Sequence, residues 1–265
     1  VTVKVIVPKH ISNGGGFSLF QEFLRRHLPF TLTIDFILVN QEEEYSNKIA
    51  NEVTSNSFEC TLIDNFTSNK SVAVGRNIGL SICNIGDWVS FLDFDDFLEP
   101  EWLLFSQNLN IFEKLFAPDV CIFNYRIRNK GFDTIYIPPI LKRGSYLTHH
   151  IYNNYTPCLG TMFKFRQRVW FTETTDDINE DLLFWNNILR LSDLQKIKHF
   201  NFVSGVYRPR DNGRSSLQKF DLKVYHNTLK DFDINPILRL YFFVMKFVFG
   251  VKKYYLRIVL KKFLK

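Results

Sequence analysis

The chain has 265 residues, 46% of them hydrophobic and 16% aromatic, enough apolar side chain to bury a core and too much for a disordered protein. Its formal charge of +6 is unevenly spread: of 33 Lys and Arg residues eight follow Asp233, where no acid occurs, and the other 25 face 27 Asp and Glu. The basic excess belongs to the C-terminal segment, so no nucleic acid is expected as a partner of the body.

In chain order, Val3 to Val7 reads as a first strand ended by Pro8, too short and too β-branched for the apolar run of a signal peptide. Export is not expected. The glycines of Ser12-Asn13-Gly14-Gly15-Gly16 read as a strand-to-helix turn, without the Lys-Ser/Thr of a phosphate-binding loop. Phe17 to His27 follows as a helix with Phe20, Phe23 and Leu24 on one face. Ile34 to Val39 is a second strand ending at Asn40-Gln41-Glu42, and Glu42-Glu43-Glu44 reads as a solvated loop or a helix start. Cys60 to Ile63 is a third strand. Ser71 to Cys83 is a helix with Arg76 and Asn77 in its first turns, where backbone N–H groups and a guanidinium can meet a phosphate or a base. Strands alternating with helices argue a parallel, Rossmann-like half.

Trp88 to Leu92 then reads as a buried strand, with Asp93, Asp95 and Asp96 at its C-terminal end, where open α/β sheets place their ligand crevice. Acids this close repel one another unless a cation lies between them, and a hard divalent ion with oxygen ligands is the usual solution. A metal-bound phosphate is the natural cargo. Glu99-Pro100-Glu101 opens a helix to about Leu115, Asp119 to Tyr125 is a strand, and Thr134 to Ile137 completes a hairpin around the Lys130-Gly131 turn. His149-His150 reads as loop surface. Thr161 to Phe165 is strand-like, and Glu180-Asp181 begins a helix whose apolar set is Leu182, Leu183, Ile188 and Leu189. Taken alone, acids at a helix start are dipole and capping choices. The four cysteines are far apart, with no Cys-x-x-Cys pair, so neither zinc nor a disulfide framework is favoured.

Asp93-Phe94-Asp95-Asp96 resembles the Asp-x-Asp-Asp signature of family-2 glycosyltransferases of the GT-A fold. Upstream, Gly75-Arg76-Asn77-Ile78-Gly79-Leu80 and then Gly86-Asp87-Trp88-Val89 are similar to that family's Arg-Asn-x-Gly, helix, Gly-Asp/Glu-Tyr, strand. Downstream, Asn179-Glu180-Asp181-Leu182-Leu183-Phe184-Trp185 resembles its Glu-Asp motif, and Val206 to Ser216 its Tyr-Arg-x-His-x-x-Ser loop, with the histidine missing and Arg208, Arg210 and Arg214 present. The likeness covers about residues 1–216. It implies an α/β GT-A fold with a mixed, mainly parallel sheet flanked by helices. A nucleotide-sugar-binding half at 1–110 and an acceptor-binding half at 111–235 would precede a tail at 236–265. The implied reaction is an inverting sugar transfer from a nucleotide donor, UDP by expectation, to a glycan or lipid-linked acceptor, of the kind that builds bacterial envelope polysaccharide. In that scheme Asp93 contacts ribose, Asp95 binds Mn²⁺ or Mg²⁺, and Asp96 supports the metal site. Asp181 is the general base, with Glu180 beside it. Pro8 and His10 stand in the family's Pro-x-Tyr nucleobase segment, Asn40 where an acid bonds the uracil imide, and Arg76 faces the donor.

The two rival readings are a haloacid-dehalogenase-like phosphatase, which also sets Asp-x-Asp after an apolar strand, and a degenerate nucleotide-binding or membrane scaffold without activity. In the tail, Arg239, Lys246, Lys253, Arg257 and Lys261 wind along one helical stripe, with Phe243, Phe247 and Leu256 largely elsewhere. Its apolar runs are too short to span a bilayer, so a peripheral place on the anionic cytoplasmic face of the plasma membrane is expected.

Overall fold

The computed structural model describes residues 2–9, 17–27, 34–56, 60–66, 71–129, 132–138, 157–166, 169–173 and 180–208. The expectations for His10, the glycine turn, His149-His150, Arg210, Arg214 and the tail at 236–265 lie outside them.

Four strands form one side of the sheet: β1 (Val3–Lys9), β2 (Ile34–Asn40), β3 (Cys60–Asp64) and β4 (Trp88–Phe91), mutually parallel in the order β3-β2-β1-β4. The first two and β4 are almost continuously apolar because both faces are covered. Val3, Val5, Val7, Phe36 and Leu38 join one core, with Phe20, Phe23 and Leu24 of α1 (Phe17–His27) and Ile49 of α2 (Ser46–Ser55). Ile6, Ile37, Val39, Val89 and Phe91 face a second core with Ala73 and Leu80 of α3 (Val72–Ser81). The expected apolar face of α1 is buried as read.

The chain runs outward from β1 to β2 and β3, then returns through α3 to place β4 on the other side of β1. That reversal is a topological switch point, and open α/β sheets bind their ligands at the strand C-termini beside such a point. The acids following β4 stand there.

The rest of the sheet contains β5 (Phe97–Leu98), β6 (Val120–Asn129), β7 (Phe132–Tyr136), β8 (Thr161–Lys164) and β9 (Ile197–Tyr207). The full order is β3-β2-β1-β4-β8-β6-β9-β5, with β7 on β6. Six of the nine strands described run one way, and β5, β7 and β8 run against them. α4 (Pro100–Gln107) and α5 (Leu109–Phe116) cover the α1 face, and α6 (Glu180–Leu191) covers the α3 face with Phe184, Trp185, Ile188 and Leu189. The mixed, mainly parallel α/β fold read from the sequence is the fold observed.

Three local expectations are corrected. β1 does not stop at Pro8 but runs to Lys9, because the Ile6 carbonyl, on the β4 side, already takes the Leu92 N–H, and β4 has turned away before Pro8. The missing N–H of Pro8 falls on that unpaired side and costs no ladder bond. The helix after Pro100 is broken at Asn108, whose Nδ2 donates to the Leu104 carbonyl at 2.8 Å and competes with helix continuation. Val206 and Tyr207, read as the start of a loop, instead end β9, and Val206 pairs with Phe97 of β5.

Candidate active site

The candidate site begins with a turn. The Asp96 N–H bonds the Asp93 carbonyl at 2.8 Å, which closes Asp93-Phe94-Asp95-Asp96 directly after β4. Phe94 anchors it, buried against Phe20 at 5.4 Å and Phe23 at 6.4 Å between ring centroids. With that ring in the core, Asp93 and Asp95 remain partly exposed while Asp96 is buried. Asp96 Oδ1 accepts the backbone N–H of Arg208 at 3.2 Å, tying the end of β9 to the acid turn. The Arg208 guanidinium lies 4.2 Å from the Phe97 ring centroid.

α3 delivers the opposing cation. Ser71 caps the helix, its hydroxyl accepting the Val74 N–H at 3.1 Å. The helix then lies so close to β1 that a Cβ on Gly75 would meet Pro8 Cβ at 2.9 Å, and one on Gly79 would strike Ile6. This close seat brings Arg76 onto the end of β4. Arg76 Nη2 holds Asp93 Oδ1 at 2.8 Å, and Nη1 holds Glu180 Oε1 at 3.2 Å. Side-chain exposure is 5% for Arg76, 13% for Glu180 and 36% for Asp93, so the cation forms the floor and the carboxylates rise toward solvent. The Phe171 and Phe91 rings lie 5.1 and 5.9 Å from the guanidinium.

Burial works against the charge on Arg76, but Cys158, Asp93, Glu180 and Asp181 outweigh it and hold the guanidinium protonated above its ordinary value. Cys158 is itself pushed well above the thiol range, first by burial, so at neutral pH it is uncharged and the carboxylates carry the effect. Asp181 sits in the first turn of α6 beside Glu180, its Oδ1 accepting the Leu182 N–H at 2.8 Å. The two acid motifs, far apart in sequence, thus meet around one guanidinium.

Pro8 and Asn40, the described residues expected at the nucleobase, are engaged by their neighbours. Pro8 packs against Gly75 of α3. Asn40 is 0% exposed and its amide is spent on its neighbours: Nδ2 donates to Asp64 Oδ1 at 2.8 Å and to the Glu42 carbonyl at 3.2 Å, and Oδ1 accepts the Glu42 N–H at 3.1 Å. The outward polar groups here belong to Asp64 and Ser46, joined at 2.7 Å. Glu42 is not a solvated acid either. It pairs with Lys9 at 2.8 Å, and the Lys9 ammonium lies 5.3 and 5.2 Å from the Tyr45 and Phe94 ring centroids. Lys9 went unread, although the phase of Val3, Val5 and Val7 places it on the same inner face.

Among the described residues no cluster of three or more His, Cys, Asp or Glu forms a protein-only metal cage. The donor set fits a different kind of site, in which a hard ion takes one or two carboxylates and completes its shell with phosphate and water. Asp95 is the candidate ligand, with Asp96 supporting the turn. The divalent ion, Mn²⁺ or Mg²⁺, is compatible with these oxygens.

No protein-family model matches the chain, and no curated protein matches it in sequence. Among solved structures it is similar to S. aureus TarS 1-349 in complex with UDP-GlcNAc, at 15% identity and a TM-score of 0.61, over 90% of this chain and 69% of that one. The same fragment without a named ligand gives 14% identity and a TM-score of 0.59, and its complex with UDP 14% and 0.57, each over 90% of this chain and 68% of the other. What is shared at this identity is the fold, and the chain has the GT-A-like α/β architecture that its motifs led us to expect.

Proposed function

We propose that the protein is a metal-dependent, inverting glycosyltransferase that moves a sugar from a nucleoside-diphosphate donor, UDP in the first instance, to a glycan or lipid-linked acceptor. The observation that carries this reading is the joint hold of Arg76 on Asp93 and Glu180. It sets an acid turn suited to a metal diphosphate within one guanidinium of a carboxylate pair suited to proton removal. The fold shared with TarS, whose structures hold UDP-GlcNAc and UDP, supports the same donor class.

In this scheme Asp93 takes the ribose hydroxyls, and Asp95, supported by Asp96, holds the ion. When bound, the ion supplies Lewis-acid neutralisation of the departing diphosphate. Asp181 accepts the proton of the acceptor hydroxyl as that oxygen attacks the anomeric carbon from the side opposite the leaving group. Glu180, held by Arg76, fixes the first turn of α6. The buried aromatic floor of Phe91, Phe171 and Phe184 excludes water beneath these groups.

The test is a nucleotide-sugar screen with Mn²⁺, followed by two variants. Asp95→Ala should abolish Mn²⁺-dependent UDP binding while the protein stays folded. Asp181→Asn should lower turnover by roughly 10²–10⁴-fold with donor binding retained. Near-normal turnover of Asp181→Asn would remove the assigned base.

We further propose that the basic segment at 236–265 binds the protein to the anionic cytoplasmic face of a membrane, which suits a lipid-linked acceptor. Among the described residues no helix is long and apolar enough to cross one. Cosedimentation with anionic vesicles, lost when residues 236–265 are removed, is the expected result.

A further inference from the structure

We propose that Asn77 is a positioning residue: from α3 it fixes Phe171, which stacks on α6, and so sets where the Asp181 carboxylate stands relative to the acid turn. Its effect on turnover rests on the transferase reading; its effect on structure does not.

Residues 169–173 belong to neither a helix nor a strand, so no ladder satisfies their backbone. Asn77 substitutes for one. Its Oδ1 accepts the Phe171 N–H at 2.8 Å, and its Nδ2 donates to the Phe171 carbonyl at 2.9 Å and to Glu173 Oε1 at 2.7 Å. A side-chain amide thus meets both polar groups of one backbone residue as a neighbouring strand would, with both amide hydrogens used. The site is 9% exposed, so water is a poor replacement.

What Asn77 holds then locates α6. The Phe171 ring is buried and stacks on Phe184 with centroids 3.9 Å apart and planes 3° from parallel. Phe184 lies one turn along from Glu180, on the same side of the helix. The adjacent residue of α3, Arg76, grips Glu180 directly. The body of α6 is packed through Trp185, Ile188 and Leu189, whereas its first turn is set by two contacts from α3, the Arg76–Glu180 pair and the Phe171–Phe184 stack that Asn77 holds. Asp181 is carried by that same first turn, so a small shift of the turn moves its carboxylate. A displacement near 1 Å is enough to cost about 10²-fold in rate.

The test uses Asn77→Ala and the same-sized Asn77→Asp, which keeps the acceptor for the Phe171 N–H but turns a carboxylate toward the Phe171 carbonyl and Glu173. Amide hydrogen exchange should speed up by roughly 10-fold or more at Phe171 and in the first turn of α6, while β1 and β4 exchange as before. In the transfer assay kcat should fall about 10²-fold, with donor KM and Mn²⁺-dependent UDP binding unchanged. Adding Glu173→Gln to Asn77→Asp restores a donor opposite the new carboxylate and should recover part of the kcat. Wild-type exchange in the first turn of α6 overturns the proposal, as does full kcat in a variant whose exchange has risen. If the wild-type protein turns over no nucleotide-sugar, the transferase reading fails instead, and the exchange arm still decides what Asn77 positions. Should Asn77→Ala not fold, Asn77→Asp with and without Glu173→Gln carries the same comparison.

Discussion

Arg76 and His27 are both buried ionisable side chains on helices against the same sheet, one on each face, and the fold deals with them in opposite ways. On the α3 face Arg76 keeps its charge, because two carboxylates and two rings surround it. On the α1 face His27 is 0% exposed between Phe23 and Phe36, at 4.7 and 5.3 Å between ring centroids, and among the described residues neither ring nitrogen has a hydrogen-bond partner. Burial, with a smaller push from Arg26, lowers its pKa to about 3, so it is a neutral ring filling an apolar layer. A buried charge is retained where the site has a use for it and neutralised where the site is only a core.

The largest expected effect breaks the paired side. Arg76→Met leaves Asp93 and Glu180 facing each other without a cation, and removing one partner of a buried pair costs about 3–5 kcal/mol. The lower end is expected, since Asp93 is about one-third exposed and can be hydrated. Urea unfolding at neutral pH measures it. A loss under about 1 kcal/mol would mean that pairing is not what keeps the guanidinium buried.

The unpaired side is broken by acid. Below the ordinary histidine pKa of 6.5 the unfolded chain takes up a proton that folded His27 refuses until about 3. Its contribution to stability is therefore complete above 6.5 and is lost as pH falls through that window, by about 1.4 kcal/mol per unit and roughly 2–3 kcal/mol at pH 4.5. His27→Leu should flatten the stability profile between pH 6.5 and 4.5 relative to wild type. An unchanged acid limb in that variant would move the cause to the carboxylates.

Two smaller changes ask how firmly α3 must sit for Arg76 to reach both acids. Gly79→Ala gains roughly 1 kcal/mol of helix propensity but drives a methyl into Ile6, and overpacking of this kind costs about 1–3 kcal/mol, so a net loss of up to about 2 kcal/mol is expected in thermal unfolding. Ser71→Ala removes the cap on Val74 and should cost about 1 kcal/mol. Both should weaken UDP binding less than they lower stability, because the acid turn itself is untouched.

Much of this architecture was legible in the residues. The strands β1, β2, β3 and β4, the helix from Phe17 to His27, the helix opening near Ser71 and the helix start at Glu180 are encoded by periodicity and by local end signals, which depend on neighbours a few residues away. β9 was missed even though Phe200, Phe202, Ser204 and Val206 alternate with other residues, because the stretch from Val206 matched a loop motif and the period-two signal before it went unused. The two-residue strand β5 has no pattern of its own and exists only because β9 lies beside it.

By itself the sequence determined the alternation of strands and helices, the acids at the end of the fourth strand and the acid pair at a helix start. The tertiary structure alone decided that Arg76 joins Asp93, 17 residues away, to Glu180, 104 residues away, that Asn77 holds Phe171, and that Asn40 is buried against Asp64 while Lys9 pairs with Glu42. The physical reason is that local sequence specifies backbone dihedrals and which face is apolar, whereas the partner of a buried polar atom is set by strand order and by how closely α3 packs on β1. Those are properties of the whole sheet.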